Sequence, residues 1–196
     1  MSWAMPRGIG STPEGAAAGD PMILPWAEYL PSPNASARGG CFVDAVVIHH
    51  ISLPPGELGA GHIADFFLNR LDPAVHPYFA HIAHQRVSAH FLIGRDGRVT
   101  QFVDTELKAW HAGESLLHGA PDVNRFSVGI ELVGDEVTPY TEEQYRELLR
   151  LLRWLVETHP KIRSERIVGH EDVAPGRKRD PGPMFDWKRV RRAIGR

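Results

Sequence analysis

The run FVDAVVIHH at residues 42–50 is apolar, rich in β-branched side chains and too short for a helix. It reads as a buried strand that ends in two histidines. A second run, FSVGIELV at residues 126–133, reads as another strand. Residues 88–93 and 98–103 flank Asp96-Gly97, a strong hairpin signal, and are expected as antiparallel strands. The segment 166–170 is short enough for a last strand. Against these stands one clear helix over 141–158. Thr141 and Gln144 form a capping box there, Glu142 and Glu143 suit the positive end, and Tyr145, Leu148, Leu149, Leu152, Leu155 and Val156 make an apolar stripe. Shorter helices are expected over 62–71 and 186–194. Adjacent hairpins together with helical crossovers imply an α/β fold: one domain with a central mixed β-sheet flanked by helices.

The chain has 196 residues, and one domain of that length can bury a sizeable core. Residues 1–29 are rich in Gly, Pro, Ala and Ser with little periodicity. They are expected as a loosely ordered leader before a domain over 30–196, with the folded body beginning near Phe42. The leader lacks the apolar core of a secretory signal, and no apolar run is long enough to span a membrane. A cytoplasmic location, no membrane partner and a monomer are expected.

One cysteine, Cys41, stands against eleven histidines. That excludes an internal disulfide framework and any cysteine-cluster metal site. Imidazole and carboxylate must hold any metal here, and two histidines plus a carboxylate suffice for a catalytic zinc that keeps a position for water. Composition alone does not choose the ligands. His170-Glu171 is not the H-E-x-x-H helical motif, because the second histidine is missing. Glu131 interrupts an apolar strand, where an unpaired carboxylate is costly without a partner or a role. The segment 176–196 carries eight Lys/Arg and two Asp, a local balance of +6. It could attract an anionic substrate or be a plain solvated surface, and no aromatic-interleaved motif points to nucleic acid.

Several segments occur in a telling order: Ser32-Pro-Asn, HHISLPPG from His49, IAHQRVSAH from Ile82, AWHAG from Ala109, FSVGIE from Phe126, and residues 169–183. Together they resemble the type 2 N-acetylmuramoyl-L-alanine amidases, and within them the AmpD-like 1,6-anhydro-N-acetylmuramyl-L-alanine amidases. The resemblance runs from about Leu30 to the C-terminus. It implies the amidase and peptidoglycan-recognition-protein type of fold, and one Zn²⁺ held by His49, His170 and Asp180. Glu131 would handle the proton of the attacking water and Lys178 would steady the developing oxyanion. The implied activity cleaves the amide between the lactyl group of (1,6-anhydro-)N-acetylmuramic acid and L-alanine of the stem peptide, in recycling of cell-wall muropeptides.

On the substrate side the resemblance implies that Arg86 holds an acidic group, and a guanidinium suits bidentate carboxylate binding. Trp110 could offer an apolar face to the sugar, Ala174 a backbone contact and His50 a further contact, while His90 and His111 are expected as structural or wall residues rather than ligands. The chain departs from the family pattern twice. His50 replaces the usual Asn after the first ligand, and Asp122 stands where an Arg is common, which should weaken attraction for an anionic stem peptide. Two neighbouring strand residues point to opposite faces, so His49 and His50 should not share one metal. The alternatives are an amidase for intact peptidoglycan and a non-catalytic muropeptide-binding module.

Overall fold

The computed structural model describes residues 21–195. Its elements, in chain order, are β1 (Glu28–Tyr29), β2 (Ala35–Ala37), β3 (Ala45–Ile51), α1 (Gly61–Phe67), α2 (Pro77–Ile82), β4 (Phe91–Ile93), β5 (Val99–Gln101), β6 (Leu107–Ala109), β7 (Leu116–Leu117), β8 (Ala120–Pro121), β9 (Ser127–Val133), α3 (Glu142–Thr158), β10 (Ile167–Gly169), α4 (His170–Val173) and α5 (Trp187–Ile194). Six strands make the main sheet in the order β1-β5-β4-β9-β3-β10. The β4–β5 hairpin is antiparallel, and every other pairing in this sheet is parallel. The mixed sheet expected from the sequence is therefore present.

The two central strands are apolar because the sheet is covered on both faces. Val46, Ile48, Val128, Ile130 and Leu132 pack on one face against Tyr145, Leu148, Leu151, Leu152 and Leu155 of α3. The α3 capping box forms as expected: Thr141 Oγ1 accepts from Gln144 N–H at 3.1 Å, and Gln144 Oε1 accepts from Thr141 N–H at 3.1 Å. Leu151 belongs to the buried stripe, whereas Leu149 and Val156 are only partly covered. On the other face, Ala45 and Val47 meet Ala112, Leu117, Val123 and Val173. A further apolar cluster lies under α1 and α2, built on Ile63, Phe66, Phe79 and Leu92.

Several boundaries differ from the sequence reading: the strands expected over 88–93 and 98–103 form only over 91–93 and 99–101, and the helix expected over 62–71 ends at Phe67. Strand β3 starts at Ala45 rather than Phe42, because Arg166 donates to the Asp44 carbonyl and carboxylate at 3.1 and 2.6 Å. Phe42 stays exposed beneath the Lys161 ammonium. The body also begins earlier than Phe42 and earlier than residue 30. Leu24 is buried and donates its N–H to Gln101 Oε1 at 2.7 Å, Trp26 lies under the Arg150 guanidinium, and β1 pairs with β5. Residues 1–20, the rest of the expected leader, lie outside the described residues.

Candidate metal and hydrolytic site

Parallel strands deliver their carboxyl ends to one edge of a sheet, and polar side chains placed there meet across strand boundaries. His49 sits near the end of β3, in register with Glu131 of β9, so both side chains share the face opposite α3. His170 follows Gly169, the last residue of β10, which pairs with Ile48. Asp180 returns from the proline-rich loop: its carbonyl accepts from Glu171 N–H at 3.0 Å, and Tyr140 Oη–H donates to the Pro181 carbonyl at 2.8 Å. Arg177 ties this loop to the 112–114 segment by donating to the carbonyls of Ala112 and Glu114.

These supports bring His49 Nδ1, His170 Nδ1 and Asp180 Oδ2 together, all buried. The separations are 2.9 Å between the imidazole nitrogens, 3.1 Å from His49 to Asp180 and 3.0 Å from His170 to Asp180. Among the described residues this trio is the group suited to hold a metal ion. His170 Nε2 lies 3.1 Å from the Ala112 carbonyl, which can only accept, so Nε2 carries a proton and in the neutral ring Nδ1 offers a lone pair. Asp180 Oδ2, a carboxylate oxygen, brings a second lone pair to the contact. A cation at the centre would satisfy all three donor atoms at once. Three corners of a tetrahedral zinc site lie ~3.3 Å apart for ordinary ligand bonds of ~2.0–2.2 Å, close to the observed triangle. The donor set therefore fits zinc.

Electrostatics around the triangle are uneven. Burial pushes the His49 imidazole down to about 4, which leaves it neutral at pH 7. Burial alone would raise the Asp180 carboxyl, but contact with His170 and His49 more than reverses this and keeps it below the carboxylate range. Glu131 behaves in the opposite way: burial and the neighbouring Asp180 hold its carboxyl well above the usual range, while Lys178 opposes them. Its Oε2 is buried without a hydrogen-bond partner, an arrangement that costs ~1–3 kcal/mol unless something else uses the oxygen. A carboxyl whose protonated form is favoured by burial thus lines the same cleft as His170 and Asp180.

A cleft of about 240 Å³ opens over this group, lined by Glu131, His170, Lys178 and Asp180 on one side and by Leu53, Phe66, Tyr78, Ile82 and Trp110 on another. A larger hollow of about 580 Å³ lies elsewhere, beside Trp26, Arg98 and Arg150, and holds no comparable set of donors.

Comparison with known proteins adds a family to this geometry. Residues 39–183 match the N-acetylmuramoyl-L-alanine amidase family. The chain belongs to that family. It is 50% identical over 147 residues to the 1,6-anhydro-N-acetylmuramyl-L-alanine amidase AmpD of Haemophilus influenzae, covering 75% of this chain and 80% of that one. A crystal structure of a Se-Met AmpD derivative superposes with a TM-score of 0.85 at 45% identity, covering 89% of this chain and 98% of that one. A complex of the amidase AmiD from E. coli with anhydro-N-acetylmuramic acid-L-Ala-D-gamma-Glu-L-Lys gives a TM-score of 0.59 at 26% identity, covering 84% and 60%.

Within this amidase fold the expected site residues divide. His170, Asp180, Glu131 and Lys178 line the cleft, His49 lies buried against His170 and Asp180, and Trp110 lines the cleft while donating Nε1–H to Ser36 Oγ at 3.1 Å. His50 lies on the helix face of β3, as strand alternation requires, and reaches the rim of the cleft with neither ring nitrogen partnered. Arg86 is exposed at the rim rather than in the cleft, with Nη1 donating to the carbonyls of Ala83, His84 and Gln85 at 3.3, 3.3 and 3.4 Å. Ala174 has no free backbone group: its N–H donates to the His170 carbonyl, and its own carbonyl accepts from Arg177 and Lys178. The backbone contact expected of it is therefore spent inside the loop that carries Lys178. Asp122 faces Lys108 at 3.5 Å and does not line the cleft. The sequence reading missed the polar atoms behind the ligands, namely the Ala112 carbonyl, Arg177 and the Ser127–His111 pair. The motif AWHAG contains two of these residues, but its spacing does not say which way His111 points.

Proposed function

We propose that this amidase hydrolyses the amide between the lactyl group of 1,6-anhydro-N-acetylmuramic acid and L-alanine of the stem peptide, in recycling of soluble cell-wall fragments. The observation that carries the proposal is the buried lone-pair triangle of His49, His170 and Asp180 set beside a protonatable Glu131. It stands in a chain half identical to an anhydromuramyl amidase over most of its length. Bound by the triangle, one Zn²⁺ would lower the pKa of a water towards ~7 and polarise the scissile carbonyl.

The chain's own groups supply the rest. Glu131 accepts a proton as the water oxygen bonds to the carbonyl carbon, then gives it to the departing L-alanine nitrogen as the carbon–nitrogen bond breaks. Lys178, exposed at the mouth of the cleft, places an ammonium where the amide oxygen gains charge. The Trp110 ring and the apolar wall of Phe66 and Ile82 offer a surface for the sugar and lactyl methyl. Arg86 lies between cleft-lining Gln85 and Val87, and we assign it the stem-peptide carboxylate once it leaves the carbonyls of residues 83–85 that follow α2. Arg86→Ala should then raise KM with kcat nearly unchanged, and an unaltered KM would remove it from the site. His50 lines the cleft with both ring nitrogens unpartnered but buried, so its ring must turn before it can donate to or accept from the peptide.

The proposed ligands His49, His170 and Asp180 lie within 4.8 Å of one another. Among the described residues no helix is long and apolar enough to cross a membrane, and the free Cys41 thiol suits the reducing cytoplasm in which we place the reaction. The test is purified protein with soluble anhydromuropeptide and with intact sacculi, each with zinc and with a chelator. Zinc-dependent release of the peptide from the soluble substrate is expected. Equal turnover in chelator, no cleavage with zinc, or preference for sacculi would each overturn the assignment.

A further inference from the structure

We infer that His111 and Ser127 are positioning residues that lock the tautomer of His49 and so prepare its Nδ1 as a metal ligand. The inference rests on the zinc reading above. Its starting point is a proton whose position is not free. Ser127 Oγ lies 2.7 Å from the Val123 carbonyl, and a carbonyl can only accept, so the hydroxyl proton points there. The same Oγ lies 3.2 Å from His111 Nε2 and has only lone pairs left to offer, so His111 Nε2 must carry the proton. In a neutral imidazole the other nitrogen is then bare. His111 Nδ1 faces His49 Nε2 at 3.0 Å and accepts from it, which leaves the His49 proton on Nε2 and a lone pair on Nδ1.

That lone pair points into the triangle with His170 and Asp180. The direction of three successive hydrogen bonds is thus dictated by one backbone carbonyl, and the last of them sets the ligand state of His49. The two rings meet edge to face, at 5.1 Å and 83°. The backbone around His111 is also held: its N–H and that of Ala112 both donate to Asn124 Oδ1, at 3.2 and 2.8 Å. Without the relay, the His49 proton could move to Nδ1, where it would occupy the lone pair that a metal needs. Metal-ligating histidines generally depend on the partner of their second nitrogen, and loss of such partners commonly weakens metal binding ~10–100-fold.

The test measures zinc affinity by competition with a chromophoric chelator, alongside thermal unfolding of the metal-free proteins. His111→Phe keeps the ring and removes both nitrogens, and it should bind zinc ~10–100-fold more weakly than the parent. Ser127→Ala should weaken zinc in the same direction, because His111 is then free to invert its tautomer. His111→Asn can place Oδ1 where Nδ1 stands and should keep the parental affinity. Parental affinity in both His111→Phe and Ser127→Ala would overturn the relay, as would an Asn variant as weak as the Phe variant. Should the Phe variant fail to fold, Ser127→Ala decides alone. A parent protein that binds no zinc would instead overturn the metal reading itself, so the two failures are told apart.

Discussion

Replacing Gly129 by alanine perturbs the site without removing a polar atom. A Cβ built at this position of β9 would lie 2.4, 2.6 and 2.7 Å from Cγ, Cδ2 and Nδ1 of His111. Carbon atoms rest at ~3.5–4.0 Å, so ring or strand must retreat by about 1 Å. The strand is hydrogen-bonded to β3 and β4 on its two sides and cannot move alone. Overpacking of this kind costs ~1–3 kcal/mol. Losing a glycine stiffens the unfolded chain and returns ~0.4–1 kcal/mol, too little to change the sign. For a chain of this size each kcal/mol shifts the melting temperature by ~2–4 °C, so a fall of up to ~10 °C is expected for the metal-free protein. Thermal unfolding followed by circular dichroism measures it. The decisive control is the same substitution in a His111→Ala background, where the overlap is gone and Gly129→Ala should be neutral or stabilising. An equal loss in both backgrounds would refute the reasoning, because the cost would then belong to the strand and not to the ring.

Glu131→Gln should lower kcat by ~10²–10⁴ while zinc content stays at parental level, measured by turnover and metal analysis. The same substitution has a second, signed consequence. Because the folded carboxyl is raised above its unfolded value of 4.5, its contribution is complete at low pH and lost as pH rises through the folded pKa. The metal-free Gln variant should therefore resist urea better than the parent at pH 8, an advantage that disappears at pH 4. Buried His49, His90 and His111 titrate with the other sign, since burial holds all three below 6.5. Their contribution is present above pH 6.5 and lost on acidification, with His49 alone, at about 4, accounting for on the order of 3 kcal/mol. Urea midpoints of the metal-free Glu131→Gln variant should fall between pH 6.5 and 4, and a flat profile would contradict the burial of these rings. Asn34→Ala should cost ~1–3 kcal/mol by chemical denaturation. It strips the Val87 and Phe67 carbonyls of an amide donor at 2.7 and 3.3 Å and breaks paired bonds with Asn69.

Some of the fold was readable because its causes are local in the chain. The capping box at Thr141, the hairpin around Asp96-Gly97 and the apolar run ending in His49 each declare themselves within a few residues, and each element forms. Short edge pieces were not readable. The pairing of β2 with β6 and the seating of residues 21–29 depend on partners about 70 positions away, and nothing in their own composition announces those partners. Phe42 shows the reverse error: it looks like strand core, yet Arg166 claims the residue that would have carried the strand back to it.

The candidate site divides along the same line. Which residue types could hold a metal followed from one cysteine, many histidines and a carboxylate-bearing loop, and the order of motifs singled out His49, His170 and Asp180. By itself the sequence also determined that His49 and His50 face opposite ways, since strand alternation is a property of the backbone. Only the tertiary structure decided that Arg86 rests on the carbonyls of the turn just before it, that Ala174 has no free amide or carbonyl, and that His111 stands behind His49. Those outcomes depend on where protons and lone pairs point, and that direction is set by contacts between segments distant in sequence. Residue order records which groups are present, whereas the folded contacts decide which of them remain unpaired.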